Sequence, residues 1–506
     1  MTRPTLTVPR PPVNKVLVGL VTLVVLAALG YAGHRVFIEV TECADGISKE
    51  AGGECVGVTD GHFAFPGLDD ITGKLREANS RVDESGEHTV TVAHLESMSG
   101  GTEDRGPEGI RQAITGAHIA QLSLNSERGT VPRVRLLLAN TGKGDKYADQ
   151  VVDQLLELKD EQHLVAVTGI GQSNENTLAA VKKLREAGVA TVGATVAADE
   201  MSSVGKPGFF RVSYPAKAQS AAAARHLKKQ QDAKDDYRVD VVRDSKSGDI
   251  YDASLYTGFR AAAARTGLKV RHVIPFTSGA ASGEGNALRV AAQKVCDAGE
   301  RPDAVYFAGR RRELRSFIEA VGETRRSCPV TVLSGSSAVG VYFDTSHGGS
   351  GEELAELDRR WKASGMKVSY TAYTHPEASK EIYGGPRNNP YTDFERRFLE
   401  VNGGAPGALT NGQAMVGHDA LYAAGIAARR AVDTYGGRQV TAPKVLALLG
   451  QTNDSYRVRG VSGEIAFDPD TGEPVGRPMA LVELRPPGQD GGADGTRYRF
   501  VETLAP

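Results

Sequence analysis

The sequence predicts an α/β protein: two doubly wound α/β lobes joined by a three-strand hinge, behind one N-terminal transmembrane helix. Three observations carry this. From Glu87 onward, short β-rich runs alternate with longer amphipathic helical patterns at roughly thirty-residue spacing, the pattern of parallel strands with crossover helices. The units are too many for one ordinary sheet, so two lobes are the natural division. The long uncharged apolar run, Val16 to Ala32, precedes all of them and has no second copy.

The N-terminal run is flanked by Arg3, Arg10 and Lys15 before it and by Glu39, Glu42 and Asp45 after it. The positive-inside bias leaves residues 1–15 as a cytoplasmic tail and exports the rest. Residues 16–38 read as an anchor, with Val36, Phe37 and Ile38 extending the span beyond His34 and Arg35. They also read as a secretory signal, with Gly30, Tyr31 and Ala32 as a small-residue cleavage site near Ala32. Either way the body is extracytoplasmic. Val40, Thr41 and Glu42 before Cys43 do not fit a lipoprotein signal.

The four cysteines fall in two local pairs, Cys43 with Cys55 and Cys296 with Cys328. In an oxidising compartment both pairs read as disulfides, each worth about 3 kcal/mol if unstrained; four unrelated thiols are the alternative. Without a C-x-x-C spacing or a nearby His pair, no metal site is expected. Residues 39–87 read as a separate disulfide-closed stalk or cap, with Ile71, Leu75, Ala78 and Val82 on one face of a short helix.

Beyond it, predicted strands are Thr89 to His94, Val134 to Ala139, Leu164 to Thr168, Val189 to Gly193, Val239 to Val242, Val270 to Ile274, Ala304 to Phe307 and Val330 to Leu333. Helical patterns fill the gaps, from Gly109 to Asn125 through Glu313 to Val321, and a lobe break falls near Phe210 to Tyr214. After Leu333 the pattern loosens into a Gly-, Ser-, Tyr- and Pro-rich stretch as far as Tyr391. Two periodic helices follow, Phe394 to Val401 and Met415 to Val432, then strands at Gly463 to Phe467, Met479 to Leu484 and Arg497 to Val501.

Composition excludes several classes of function. With 40% hydrophobic residues, 24% charged residues and a formal net charge of −2, the chain is neither disordered nor a basic nucleic-acid binder. Gly169-Ile170-Gly171 lacks the third glycine of a dinucleotide loop. There is no phosphate-loop Lys, no H-E-x-x-H and no G-x-S-x-G elbow. His347, His375 and His418 have no ligand-like spacing. No cofactor, no metal and no catalytic residue are expected, and a cleft enzyme such as an amidase lacks any motif.

From Glu87 to the C-terminus the residues resemble the type I periplasmic-binding-protein family, especially the branched-chain amino acid (Leu/Ile/Val) substrate-binding proteins of ABC transporters. The landmarks are Ser97-Met98-Ser99-Gly100 after the first strand, Val165 to Asn174 with its Gly-x-x-Ser loop, and Phe209-Phe210-Arg211 before the lobe crossing. Asp249 to Phe259 stands where the family has a Tyr-Gly helix start. Gly417 to Tyr422 and Gly460 to Asp468, followed by Gly472, match its ending. The resemblance implies lobe one over 88–213 and 344–455, lobe two over 214–343 and 456–506, and closure of the lobes on a small ligand.

It also implies ligand contacts from Ser97, Ser99, Ser173, Asn174, Ala194 and Thr195 on lobe one and from Tyr251 on lobe two; Arg310 and Ser336 join them as candidates at the positions where the chain departs from the family. Ser173 and Asn174 read equally as a helix N-cap, and Tyr251 as a half-buried structural tyrosine. Two departures bear on the ligand. Ser334-Gly335-Ser336-Ser337 offers no acid where amino acid binders hold the α-amine, and Gly309-Arg310-Arg311-Arg312 brings guanidinium groups to the cleft mouth or to solvent. Asp252 also replaces the Gly of the Tyr-Gly pair. Among the tyrosines, Tyr370, Tyr373, Tyr383 and Tyr391 either line the cleft or wrap the lobe. The implied function is a solute-binding protein that captures a small polar ligand, amino acid-like or anionic, for an ABC-type permease. The alternative is a membrane-anchored sensory receptor that signals through a partner protein.

Overall fold

The computed structural model describes residues 20, 22–24, 41–101, 104–126, 129, 131–246, 248–279, 283–297, 299–324, 327–343, 351–384, 389–403, 406–436, 440–486 and 497–505. The chain divides into two units, Met1–Cys55 and Val56–Pro506. In the first, β1 (Glu42–Ala44) and β2 (Ile47–Lys49) form an antiparallel hairpin, and a disulfide joins Cys43 to Cys55. The Val16 to Ala32 run lies outside the described residues except for Leu20, Thr22, Leu23 and Val24. Among the described residues no helix is long and apolar enough to cross a membrane.

The second unit is built on two sheets. In sheet one, β3 (Cys55–Thr59), β4 (Thr89–Glu96), β5 (Arg133–Asn140), β6 (Leu164–Gly169), β7 (Ala190–Gly193) and β8 (Phe209–Arg211) lie in the order β3-β5-β4-β6-β7-β8. All pairs are parallel except the antiparallel edge pair of β3 and β5. In sheet two, β9 (Val239–Asp244), β10 (Val270–Phe276), β11 (Ala304–Ala308), β12 (Thr331–Ser334) and β13 (Lys367–Ala372) are parallel in the order β10-β9-β11-β12-β13. The antiparallel β16 (Met479–Leu484) and β17 (Tyr498–Leu504) complete it. The eight strands expected from the sequence occur with ends within two residues of those expected.

The strands are near-continuous apolar runs because helices cover both faces of each sheet. Seven of the eight residues of β4 and all five of β11 are buried. One face of sheet two buries Phe307, Phe317 and Trp361; on the other, Phe259 and Tyr306 stack with centroids 3.8 Å apart. On sheet one, the helices Pro107–Asn125 and Gln413–Tyr435 cross closely, and only glycine fits the crossing. A Cβ on Gly116 would lie 1.9 Å from the Ala414 carbonyl oxygen, and one on Gly417 2.2 Å from that of Ala113. The second disulfide, Cys296–Cys328, ties the end of the helix Glu284–Val295 to the segment before β12.

Three boundaries differ from the sequence expectation. Residues 56–84 are not a separate stalk: β3 extends sheet one, and Asn79 of the helix Asp69–Glu84 bonds both backbone groups of Leu136 in β5. The stretch read as loosened loop after Leu333 holds the helix Gly351–Ser364 and strand β13. The main chain therefore stays in sheet two until Ala372 rather than leaving it near residue 343, because β13 supplies the edge on which β16 pairs. Third, the C-terminal strands separate: β14 (Val458–Gly460) and β15 (Gly463–Ile465) pair with each other, and the buried Asp419 accepts from the Val461 and Ser462 amides. Only β16 and β17 join sheet two, so the last crossing lies between Phe467 and Met479.

In each sheet the first strand of the parallel set sits between the second and the third. The order reverses between β4 and β6 in sheet one, and between β9 and β11 in sheet two. Loops leaving the carboxyl ends of strands at such a reversal diverge to opposite faces and open a crevice. Those loops carry Glu96 to Arg105 and Gly169 to Asn174 in lobe one, and Asp244 to Asp249 and Gly309 to Arg310 in lobe two.

Candidate functional site

On lobe one the loop after β6 turns sharply, with Gly169 and Ile170 both at positive φ, 92° and 51°. The turn brings the Ser173 hydroxyl under the Ala194 to Ala198 loop, where it accepts from the Ala197 and Ala198 amides at 2.9 and 3.0 Å. Asn174 caps the helix Glu175–Glu186: its Oδ1 accepts from Thr177 N at 2.9 Å, and Thr177 Oγ1 accepts from the Asn174 amide at 3.1 Å. Its Nδ2 donates to Asp145 Oδ2 at 2.7 Å. Burial pushes the Asp145 carboxyl up to about 7, against the hydrogen bonds from Thr141 and Asn174.

On lobe two, Asp249 caps the helix Ile250–Thr266, accepting from Tyr251 N and Asp252 N. Arg310 reaches it from the loop after β11, with Nε 2.7 Å from Oδ2 and Nη2 2.9 Å from Oδ1. Burial alone would raise the Asp249 pKa, but this bidentate grip holds it below the ordinary carboxylate range. The same Nη2 crosses the cleft and donates to the Ser173 carbonyl of lobe one at 2.6 Å. Beside it, the Arg311 guanidinium donates to the Asp104 carbonyl of lobe one. Tyr251 lies beneath Arg310, its ring 5.2 Å from the guanidinium, and its hydroxyl accepts from Ser337 N at 3.0 Å. A side chain on Gly335 would meet that hydroxyl at 2.7 Å, so glycine is what lets the loop after β12 close over Tyr251.

Between the lobes these groups line a cavity of about 50 Å³. Lobe one contributes Arg105, Gln172, Ser173, Thr195 and Gln413 to its lining; lobe two contributes Tyr251, Arg310, Arg311, Arg312 and Ser337. Arg105 is anchored from behind. Its Nε donates to Glu96 Oε1 at 2.6 Å, its Nη1 donates to Gln413 Oε1, and His94 Nε2 lies 3.1 Å from the other Glu96 oxygen. Burial alone would raise the Glu96 pKa, but Arg105 and His94 hold it below the usual range.

Of the residues predicted from sequence, Ser173, Thr195, Tyr251 and Arg310 line this cavity together. Five do not. Asn174 is spent on its cap, and the Ala194 amide donates to the Gly169 carbonyl. Ser99 accepts from the Asn140 side chain, and Ser97 is buried at the end of β4. Ser336 sits behind the wall, its amide on Gln219 and its hydroxyl 3.5 Å from Tyr251. Arg310 is part of the wall rather than at the mouth. Tyr373 also lines the cavity, whereas Tyr383 and Tyr391 do not. Sequence reasoning missed Arg105, Gln172 and Gln413. Gln172 adjoins the Gly-x-x-Ser loop and was legible there, but Arg105 and Gln413 meet only through tertiary packing.

Comparison with known proteins agrees with this architecture. A family profile described as "Periplasmic binding protein" matches residues 89–493. No curated protein matches the chain by sequence. Among solved structures, the chain is similar to a leucine-binding protein from Thermotoga maritima, at 20% identity and a TM-score of 0.58, covering 82% of this chain and 99% of that one. It is similar to the branched-chain amino acid substrate-binding protein of Streptococcus pneumoniae in complex with isoleucine, at 15% identity and a TM-score of 0.59, covering 82% and 99%. It is also similar to an R. palustris ABC-transporter solute-binding protein in complex with 4-hydroxybenzoate, at 16% identity and a TM-score of 0.58, covering 82% and 96%. With two switch-point crevices facing one interlobe cavity and four-fifths of its length matched, the chain belongs to the type I periplasmic-binding-protein family, whose members are extracytoplasmic solute binders and not enzymes.

Proposed function

We propose that this protein captures a small polar solute bearing a carboxylate, an amino acid or an organic acid, and presents it to an ABC-type permease. The N-terminal apolar run tethers it to the outer face of the membrane. One observation carries the reading: the cavity is lined from both lobes by hydrogen-bonding side chains and is bridged directly by Arg310 to the Ser173 carbonyl. A ligand there reports its presence by closing the hinge. The relatives of similar fold, bound to isoleucine and to 4-hydroxybenzoate, share a carboxylate and little else.

The test is equilibrium dialysis of the full chain against a mixed pool of amino acids and organic acids, with bound species identified by mass spectrometry. One solute retained at stoichiometric occupancy and released on Tyr251→Ala supports the proposal. No retained solute from the pool, or retention indifferent to the cleft variant, counts against it.

A further inference from the structure

We propose that the solute is a small organic anion that carries a carboxylate and no ammonium group. This rests on the solute-binding function proposed above and narrows the ligand class of the same cleft. The four charged side chains lining the cavity, Arg105, Arg310, Arg311 and Arg312, are all guanidinium groups, and none of the described residues lining it is Asp or Glu. Glu96, Asp249 and Glu284 pair with Arg105, Arg310 and Arg312 but do not line the cavity, so an ammonium brought into this space gives up hydration and meets guanidinium donors with no lining carboxylate to accept from it, which is costly.

Two unspent donors reinforce the assignment. Arg310 commits Nε and Nη2 to Asp249 and Ser173, and among the described residues nothing accepts from its Nη1. Gln413 is 1% exposed, and its Nε2 is buried with no hydrogen-bond partner. The orientation of that amide is fixed, because its oxygen accepts from Arg105, a side chain that can only donate. A guanidinium donor and an orphaned amide donor on one cavity call for a group that only accepts. A carboxylate is such a group.

Asp252, next to Tyr251, does not supply the missing anion. It does not line the cavity, and its carboxyl is 2% exposed with neither oxygen hydrogen-bonded. Burial, and then the neighbouring Asp249, raise its pKa well above the ordinary carboxylate value, which disfavours its charged form. The cavity size sets the scale of the ligand. About 50 Å³ holds a few water-sized groups, which suits an acid of about two to four carbons.

The experiment is isothermal titration calorimetry of the full chain with matched pairs that differ at the amine: glycolate and glycine, pyruvate and alanine, succinate and aspartate. The expected result is that one acid binds at least about tenfold to a hundredfold more tightly than its amino partner. Arg310→Lys, which keeps the charge and loses the planar fork, and Gln413→Met should each weaken that acid by about tenfold. The wild-type preference needs no variant, so a folding defect in either one does not cloud it. An amino acid that binds as tightly as its matched acid would overturn the proposal while leaving solute binding intact. Silence from every pair would overturn it as well, with solute binding then judged separately by the mixed-pool dialysis.

Discussion

The Arg310 guanidinium holds both oxygens of Asp249 within lobe two and donates to the Ser173 carbonyl of lobe one at 2.6 Å, so one side chain both stiffens the wall of the cleft and latches it shut. A charge-assisted bond of this kind contributes about 1.5–3 kcal/mol. Arg310→Gln should therefore shift the lobe equilibrium toward the open form by about tenfold to a hundredfold in the absence of solute. A fluorescence-transfer pair with one dye on each lobe measures this; unchanged transfer efficiency would mean that other contacts hold the cleft closed.

Ser173 contributes to stability as well as to the cleft. Its hydroxyl satisfies two buried amides, Ala197 N and Ala198 N, and Ser173→Ala orphans both. The expected loss is about 2–4 kcal/mol, read as a lower urea midpoint. Loss of solute binding in this variant thus reports the loop as much as a lost contact, and Ser173→Thr, which keeps the hydroxyl, should restore most of the stability.

Asp145 makes the protein sensitive to pH. Its carboxyl is pushed up to about 7 in the folded state by burial, with smaller contributions from Asp104 and Glu96, against an ordinary value of 3.8 when unfolded. The folded form therefore binds more protons than the unfolded form between these values, and stability from this group falls as pH rises from about 4 to about 7. Below that window the group imposes no penalty, and above it the penalty is complete. Asp145→Asn should flatten that part of the melting-temperature profile and raise the melting temperature at pH 8. An unaltered slope would show that Asp145 is ionised throughout.

A buried pair fixes the segment between β15 and β16. Asp419 accepts from Arg477 Nη2 at 2.8 Å, as well as from the Val461 and Ser462 amides. Burial alone would raise its pKa, yet the bonds from His418 and Arg477 hold it far below the carboxylate range. Arg477 in turn accepts through its carbonyl from the Tyr214 hydroxyl at 2.8 Å, which ties this segment to the chain following β8. Removing one member leaves a buried charge alone, so Arg477→Met should cost about 3–5 kcal/mol in guanidinium unfolding. The double variant Arg477→Met with Asp419→Leu should recover part of the loss; a strictly additive pair would exclude direct coupling.

The sequence by itself determined eight of the parallel-set strands, most of the helices between them, both disulfide pairings and the family, but not β3, β8, β13 or the helix Gly351–Ser364. These follow from local chemistry: β-rich runs bounded by turn residues, helical periodicity, and cysteines close enough to meet across short loops. Ser173 and Tyr251 were legible through the family resemblance, and Arg310 through its departure from that family's pattern; each sits at a strand-to-helix turn. Only the tertiary structure decided what those turns face. That Arg105 and Gln413 share a hydrogen bond, that Asn174 is spent on a cap while Ser173 is not, and that β13 belongs to the second sheet all depend on packing between segments far apart in the chain. Asp252, legible in the sequence only as a departure from the Tyr-Gly pair, lies outside the cavity lining, and burial beside Asp249 disfavours its charged form.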